Sequence, residues 1–381
     1  MSARQQNEKS REIKAKARPV RASTAGSNAS SSLTTLAAHL LLSPAAISRV
    51  LNQAPAAKSI PAATQARILE AAKHFNYRPN VLARSLRRGH SMTVGVLVPE
   101  ISEGYATTVL AGIEEGLLRM GFAFFLCSHH HNVEVIERSQ GMLAERAVDG
   151  IIAVDTPLES PGSLPLVTVS CPVGSHAVTN IVLDHERAAQ LALEHLVGLG
   201  HKRIAFIKGQ PFSSDTRARW RAISDAAERL GLAMPEALQA ELEGNLPGHE
   251  PGYLATQRLL ASGAGFTALF AFNDVSAIGA VRAMREAGLA VPKDISVVGF
   301  DDVQSAAYQN PPLTTVRQPL HDMGLRAAEA IVERINSREP ARRRSIKVEP
   351  ELIVRETTAR LGPVTAEEQG KVRRARQIVN G

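Results

Sequence analysis

The first regular hydrophobic pattern lies between residues 32 and 80 and predicts three short helices. An apolar stripe at i, i+3, i+4 and i+7 predicts the first helix, and it consists of Leu33, Leu36, Ala37 and Leu40. A second helix is predicted from Pro44, after the N-cap Ser43, with an inner face of Ile47, Val50 and Leu51. A third is predicted from about Thr64 to Phe75, with Ile68, Leu69, Ala72 and Phe75 inward. The order is typical of a helix-turn-helix with a bracing helix, although any small three-helix bundle has the same spacing.

From Thr93 onward, short apolar runs alternate with amphipathic helices. The predicted strands are 94–98, 122–127, 150–154, 167–169, 204–207, 268–272 and 295–300, and helices are predicted at 106–120, 187–199 and 275–287. Strands that are apolar on both faces and alternate with helices indicate parallel sheets covered on both sides. There are too many strands for one sheet of ordinary size. We therefore expect an α/β core of two doubly wound parallel sheets, with a ligand cleft beyond the carboxyl ends of the strands.

Charge divides the chain in the same place as the hydrophobic pattern. The 381 residues carry a net charge of +7, but residues 1–90 contain 15 Lys and Arg against three acids, a net +12, so the remainder is −5. A basic head on a mildly acidic body is the electrostatic footprint of a nucleic-acid-binding module. For residues 1–31, which lack an apolar period, a solubilising basic tail is an equally good interpretation.

The remaining composition points to a cytoplasmic location. No signal-like apolar run opens the chain, no stretch is long and apolar enough to span a membrane, and only Cys127 and Cys171 occur. The run His129-His130-His131 suggests a metal site, but three adjacent residues cannot all face one ion, so a solvated loop is predicted there. No phosphate loop, dinucleotide fingerprint or nucleophile elbow occurs, so we expect no catalysis, no cofactor and no metal.

Three blocks of sequence resemble the lactose/galactose-repressor (LacI/GalR) family of transcription regulators. They are 47–52 (ISRVLN), 77–80 (YRPN) and 83–86 (ARSL), and the likeness continues to about Thr357. The resemblance implies a homodimer that binds double-stranded operator DNA under the control of a small-molecule effector, a sugar or sugar acid. The alternative is a periplasmic-type solute-binding protein without a DNA function, for which a signal peptide and no basic head would be expected.

The resemblance also implies which residues contact DNA. Positions after the N-cap, and an arginine one turn later, reach base edges in the family, and they correspond to Pro44, Ala45 and Arg49. A hinge helix at 81–90 would insert Leu86 into the minor groove, with arginines against phosphates, although an ordinary charged linker is the alternative. The DNA-binding residues expected on this basis are Ser43, Pro44, Ala45, Ser48, Arg49, Asn52, Tyr77, Asn80, Arg84, Leu86 and Arg87. Leu41, at the turn, departs from the small or polar residue usual in the family.

The family's domain order gives the expected boundaries. They are a basic tail at 1–31, a helix-turn-helix domain at 32–80, a hinge at 81–90, a two-lobed core at 91–357 and a polar basic tail at 358–381. The first lobe would hold about 91–184 and 303–319, and the second about 185–302 and 320–357. The effector-binding residues expected are Tyr105, Arg219, Asn273 and Asp301, while helix N-capping is the alternative for Asn273 and Asp301. The last residues lack leucine heptads, which favours a dimer over a tetramer.

Overall fold

The computed structural model describes residues 32–77, 89–101, 104–158, 162–171, 178–244, 248–337, 339 and 342–362. The chain divides into two compact units, residues 1–87 and residues 88–381. We call the described part of the first unit the head and the second unit the core.

The head is a three-helix bundle. Its helices are α1 (Leu33–Leu40), α2 (Pro44–Leu51) and α3 (Ala62–His74), with a 3-10 helix at Pro55–Ser59 between the last two. The first two helices are bent by 110° at their junction, the angle of a helix-turn-helix. Ser43 caps α2 as predicted, since its hydroxyl accepts the Ala46 N–H at 3.2 Å. Leu41 ends α1 in the left-handed region (φ 55°) and is 90% exposed.

The head buries a small apolar cluster of Leu36, Ala37, Leu40, Ile47, Val50, Ala57, Ile68 and Ala71. One prediction for the third helix is wrong. Leu69 is 48% exposed, and the buried partner of Ile68 is Ala71, three residues further along the same face. Local spacing did not distinguish the pair Ile68 and Ala71 from the pair Leu69 and Ala72, because the residues of both pairs are three positions apart.

The core contains two six-stranded sheets covered by helices, which confirms the predicted fold class. In chain order its elements are β1 (Thr93–Val98), α4 (Tyr105–Arg119), β2 (Ala123–Ser128), α5 (Val133–Glu145), β3 (Gly150–Val154), β4 (Leu166–Val169), β5 (Val178–Leu183), α6 (His185–Gly198), β6 (Ile204–Lys208), α7 (Ser214–Arg229), β7 (Gln239–Glu241), α8 (Glu250–Ala261), β8 (Ala268–Phe270), α9 (Asp274–Glu286), β9 (Ser296–Asp301), α10 (Gln304–Ala307), β10 (Thr314–Arg317), α11 (Leu320–Asn336), β11 (Arg344–Val348) and β12 (Glu351–Ile353).

The sheets define two lobes. The first sheet has the order β11-β5-β4-β3-β1-β2 and is parallel throughout. The second has the order β12-β10-β9-β8-β6-β7 and is parallel except for β12, which pairs antiparallel with β10. None of the described helices is long and apolar enough to cross a membrane alone, and α1 and α2 reach that composition only as a bent pair.

The last segments of the chain are distributed between the two lobes differently from the prediction. Residues 303–319 were expected in the first lobe, but β10 lies in the second sheet beside β9. Residues 320–357 were expected in the second lobe, but α11 packs on α4 and β11 pairs with β5 of the first sheet. Only the end of this segment is placed as expected, because β12 pairs with β10 in the second sheet. The α4–α11 contact explains the exchange, because Gly112 and Gly324 let the two backbones touch. A Cβ at Gly112 would lie 2.0 Å from the His321 carbonyl oxygen.

Candidate functional site

The second helix of the head presents a polar surface to solvent. Ser43, Pro44, Ala45 and Arg49 are exposed, while Ser48 and Asn52 are half-buried. The Asn52 amide donates to the Ser48 carbonyl oxygen at 2.7 Å and to its hydroxyl at 3.1 Å, so the two side chains form one unit at the end of α2. The exposed cations of the head are Arg49, Lys58, Arg67 and Lys73. Such a surface can meet phosphates and base edges together.

The other residues predicted to bind DNA are placed differently. The Tyr77 ring packs partly against the apolar cluster of the head, and its backbone N–H donates to the Ala72 carbonyl oxygen at 2.8 Å. Tyr77 therefore supports the bundle as well as facing its surface. Asn80, Arg84, Leu86 and Arg87 lie outside the described residues.

In the core, a cavity of about 230 Å³ opens between the two sheets. All four side chains predicted to bind an effector line it, namely Tyr105, Arg219, Asn273 and Asp301. Tyr105 begins the helix after β1, Arg219 lies on the helix after β6, Asn273 precedes the helix after β8, and Asp301 ends β9. They converge because the carboxyl ends of the parallel strands in both lobes face the same cleft.

Arg219 is the central cation of the cavity. Its guanidinium is 4% exposed and lies between two aromatic rings, 3.7 Å from the Phe300 centroid and 4.5 Å from that of Phe272. It donates to the Phe272 carbonyl oxygen at 2.5 Å and to the Asp215 carboxylate at 3.4 Å. Its buried Nε has no hydrogen-bond partner in the described part of the chain. A fixed, desolvated guanidinium with an unused N–H is suited to bind a ligand oxygen.

Asp301 faces the same space in a strained backbone conformation. Its φ is 108°, its side chain is 4% exposed, and one carboxyl oxygen accepts the Gln318 amide at 2.6 Å. Burial raises the pKa of Asp301 to about 6, although Arg219 and Gln318 act in the opposite direction. A backbone outlier and a perturbed carboxyl in one cleft are typical of a functional position.

A polar network joins the two lobes behind the cavity. The Tyr105 hydroxyl bonds the Ser170 hydroxyl in the first lobe, and Ser170 bonds Asp215 of α7 in the second. The Asp215 carboxylate lies 3.5 Å from His185 Nε2 and 3.4 Å from Arg219. Burial acts to raise the pKa of Asp215, but His185, Arg219 and Ser170 outweigh it and hold that pKa below its ordinary value. Burial and the charge of Asp215 raise the pKa of Tyr105 well above its ordinary value.

Asn273 has the capping role that was left open for it, and it also lies at the cavity where it was predicted to bind an effector. Its side-chain oxygen accepts the Ser276 N–H at 2.8 Å and so caps α9, while the residue also lines the cavity. The neighbouring Asp274 is not the cap of α9. Asp274 is fully buried and accepts the Thr315 hydroxyl at 2.6 Å and the Val303 N–H at 2.9 Å, so it binds the neighbouring strand and loop instead.

Sequence reasoning missed several residues of the cavity. Asp155 follows β3, Asp215 lies one turn before Arg219, and Phe212 precedes α7. The strand-end rule could have found Asp155, and the i, i+4 spacing to Arg219 could have found Asp215. The predicted solvated loop at His129-His130-His131 is wrong in two places. His129 is fully buried and His131 lines the cavity, because backbone hydrogen bonds attach the loop to Val98 and Pro99 at the end of β1.

Comparisons with known proteins agree along most of the chain. Residues 193–358 match the family described as a periplasmic binding protein-like domain. The HTH-type transcriptional repressor PurR of Pasteurella multocida (strain Pm70) is 33% identical over 327 residues, 83% of this chain and 95% of the relative. The lac repressor dimer bound to operator and the anti-inducer ONPF superposes with a TM-score of 0.76 at 26% identity, over 87% of this chain and 100% of that one. The transcriptional regulator CelR in complex with cellobiose gives 0.65 at 27% identity, over 86% and 99%.

Proposed function

The chain belongs to the LacI/GalR family and is a DNA-binding, dimeric transcriptional repressor with a periplasmic-binding-protein-like core, and from that premise we propose that a neutral sugar in the cleft controls its hold on operator DNA. The observation that carries the proposal is the convergence of Tyr105, Arg219, Asn273 and Asp301 on one cavity in a chain that also has a helix-turn-helix head. A repressor acts where the chromosome lies, so we propose a cytoplasmic location and no catalytic role. The solute-binding alternative gives the head no function.

For the head, we propose that α2 reads the major groove. Arg49 is exposed in the last turn of α2, where its guanidinium can pair with guanine O6 and N7, and Pro44 and Ala45 offer apolar contact to a thymine methyl. Ser43 and the Ser48–Asn52 pair sit beside them. Tyr77 and Asn80 at the end of the head, and Arg84, Leu86 and Arg87 in the hinge at 81–90, complete the proposed contact set. The basic tail at 1–31 is proposed to lie outside the domains 32–80 and 91–357. The tail predicted at 358–381 begins later than expected, because the Leu361 N–H donates to the Leu199 carbonyl oxygen at 2.8 Å and His201 Nε2 bonds the Ala359 carbonyl oxygen at 3.0 Å.

Comparison of Arg49→Ala with Arg67→Ala tests the reading of DNA. Both arginines are exposed on helices of the head, but Arg67 is on α3 and is expected to meet phosphates at most. Fluorescence anisotropy with the gene's own upstream DNA and with random DNA should show Arg49→Ala losing about 5- to 150-fold in discrimination, since one bidentate base contact is worth about 1–3 kcal/mol. Arg67→Ala should weaken both DNAs equally. Equal behaviour of the two variants would overturn the assignment of α2.

For the core, the charge of the lining favours an uncharged ligand. Four carboxylates line the cavity, at Glu100, Asp155, Asp215 and Asp301. Among the described lining residues, Arg219 supplies the guanidinium that opposes their negative charge. Arg219 is already paired with Asp215, so a sugar acid would meet mainly negative charge. Carboxylates, an amide and a guanidinium are the groups that bind the hydroxyls of a sugar, and Tyr105 is placed to cover one face. This favours a sugar over the sugar acid also considered.

A purine is the second candidate ligand, because a relative 33% identical over 327 residues carries the name PurR. A planar base needs aromatic faces to stack on. In the cavity, one face of Phe272 is covered by Arg219, and Phe212 is stacked by His131 at 4.2 Å. The aromatic surface is therefore already used in part, and the hydroxyl-binding groups predominate.

A thermal-shift panel distinguishes these ligands. It contains neutral mono- and disaccharides, the corresponding sugar acids, and purine bases, each at several concentrations at pH 7.5. A ligand at 100 times its Kd stabilises by about 2.7 kcal/mol. We expect a neutral sugar to raise Tm and its acid to have less effect, and Arg219→Ala to abolish the shift. Stabilisation by acids or purines in preference to every neutral sugar would overturn the ligand assignment and leave the DNA assignment intact.

A further inference from the structure

The loop after β2 places a fully buried histidine directly beside the ligand cleft. His129 is 0% exposed, and both of its ring nitrogens are used. Nδ1 accepts the backbone N–H of His131 at 3.1 Å, so the ring proton is on Nε2, which donates to the Thr156 hydroxyl at 2.9 Å. Thr156 in turn donates to the Val154 carbonyl oxygen at 2.8 Å. The neutral imidazole therefore ties the loop to the end of β3.

This bonding holds two residues in an unfavourable backbone conformation. His130 and His131 have φ values of 46° and 57°, in the left-handed region that is unfavourable for residues other than glycine. The His129 and His130 N–H groups donate to the carbonyl oxygens of Val98 (3.1 Å) and Pro99 (2.7 Å), which fixes the start of the loop to β1. A strained loop that the surrounding structure determines so fully is characteristic of a functional position.

The result is a contact between the lobes. The His131 ring, from the first lobe, stacks on Phe212 of the second with centroids 4.2 Å apart and a 35° tilt, and both residues line the cavity. Phe212 immediately precedes α7, the helix that carries Asp215 and Arg219. Beside it, the Ser213 hydroxyl lies 3.5 Å from the Asp155 carboxylate, again across the cleft. The ring pair thus covers the cavity on the side of α7.

We propose that His131, oriented by His129, is the contact that holds the cleft closed over its ligand. The inference rests on the proposed function, because it concerns the regulation of the same cleft. An aromatic pair of this kind favours the closed arrangement by about 2- to 12-fold over an open one in which the rings are apart. His129 is a positioning residue, since it touches neither Phe212 nor the cavity and acts through His131.

The distance between the lobes tests the proposal without ligand or DNA. Spin labels are attached to cysteines that replace Glu137 on α5 and Glu228 on α7, both exposed, while native Cys127 and Cys171 are buried. Pulsed electron–electron resonance on the full-length protein gives the distribution of distances. His131→Ala should move population from the short to a longer distance, with an about 2- to 12-fold lower ratio of closed to open molecules, and His129→Ala should do the same.

His130→Ala is the matched control. His130 is the neighbouring histidine, but it is exposed and does not line the cavity, so the wild-type distribution is expected. Phe212→Leu removes the partner from the other lobe and leaves the histidine loop unchanged, which keeps the test valid if a loop variant fails to fold. In a double variant, His131→Ala should add nothing to Phe212→Leu. Unchanged distances in both His131→Ala and Phe212→Leu would overturn the proposal, whatever the DNA and ligand experiments show.

Discussion

Asp301 carries an electrostatic cost that a ligand in the proposed site would relieve. Its carboxyl is buried, its φ of 108° is unusual for a residue other than glycine, and burial raises its pKa to about 6. Near neutral pH the carboxylate is ionised in a place that disfavours the charge. Ligand hydroxyls that donate hydrogen bonds would relieve this cost, so the same side chain weakens the empty protein and strengthens the complex.

Replacement of Asp301 by asparagine should therefore stabilise the empty protein. The folded-state pKa of about 6 lies above the ordinary 3.8, so the wild type is most stable relative to the variant below pH 3.8 and loses that stability as the pH rises to about 6. The asparagine side chain carries no charge and has no such loss. In denaturant unfolding at pH 7.5 we expect the variant to be more stable by about 1–3 kcal/mol, with the difference shrinking towards about pH 4.

The control for this prediction is Asp322→Asn, an exposed aspartate on α11 that pairs with Arg326. It should change stability by less than about 0.5 kcal/mol at either pH. A wild type that is more stable than Asp301→Asn at pH 7.5 would show that the carboxylate is not under strain. In the thermal-shift panel, Asp301→Asn should also lose the ligand-induced increase in Tm.

The predicted site residues were found where chemistry and chain order coincide. Tyr105, Arg219, Asn273 and Asp301 each follow a strand in sequence, and the resemblance to the family singled them out. Asp215 and His131 were missed for physical reasons. The importance of Asp215 arises from His185 and Ser170, which are distant in sequence, and His131 reaches the cleft because a buried neighbour turns the backbone.

At the scale of elements, the start of β1 is held by one side chain. The Asp149 carboxylate accepts the Ser91 N–H at 2.8 Å and the Met92 N–H at 2.7 Å, and its own N–H donates to the Thr93 carbonyl oxygen at 2.8 Å. Met92 adopts φ 57°, a conformation that these bonds maintain. These bonds lie where the core begins, so Asp149 fixes the direction in which the first strand starts.

Asp149→Asn should loosen this attachment. An asparagine has one acceptor oxygen, and its NH2 group would face a backbone N–H, so one of two charge-assisted bonds is lost and the core is destabilised by about 1–3 kcal/mol. We also expect operator affinity to fall more than affinity for random DNA, because the segment attached here leads to the hinge that is proposed to contact the operator. The measurements are urea unfolding and anisotropy with both DNAs.

His90→Gln separates two explanations of that result. His90 Nδ1 lies 3.7 Å from Asp149, but the histidine side chain is 47% exposed, and such pairs contribute little. If the backbone bonds are what matters, His90→Gln should resemble the wild type within about 0.5 kcal/mol. An equal effect of the two substitutions would mean that the ion pair, not the attachment of Ser91 and Met92, is responsible.

Helices and strands could be predicted where the residues that cause them are close together in the sequence. The strands with uninterrupted apolar runs and the helices with clear caps were located within one or two residues. The strand β5 was not, because its buried Asn180, which accepts the Thr168 hydroxyl at 2.7 Å, interrupts the apolar pattern. The exchange of α11 and β10 between lobes could not be read locally either. It depends on helix–helix contact between Gly112 and Gly324, which are far apart in the sequence.

At the scale of the whole molecule, charge is distributed so that one end attracts DNA and the other does not. Residues 1–90 carry a net +12 and the rest a net −5. Attraction to phosphates is then concentrated in the head and its N-terminal extension, while the acidic core is repelled from the duplex. Non-specific binding should therefore depend steeply on salt, since each neutralised phosphate adds about 0.9 to the slope of log K against log salt.

The N-terminal extension provides a quantitative test of this distribution. Residues 1–31 contain seven Lys and Arg and two Glu, a net +5, which is a large part of the net +12 of residues 1–90. If those cations meet phosphates, removing residues 1–31 should make the salt slope on random DNA shallower by up to about 4 to 5 and weaken binding more at about 50 mM than at about 300 mM salt.

A variant that keeps residues 1–31 but has the seven cations replaced by glutamine should behave like the deletion, because charge and not length is the cause. Discrimination between operator and random DNA should change much less, since base contacts belong to α2. Identical slopes for the wild type and both variants would mean that the extension makes no phosphate contacts and acts as a solubilising tail.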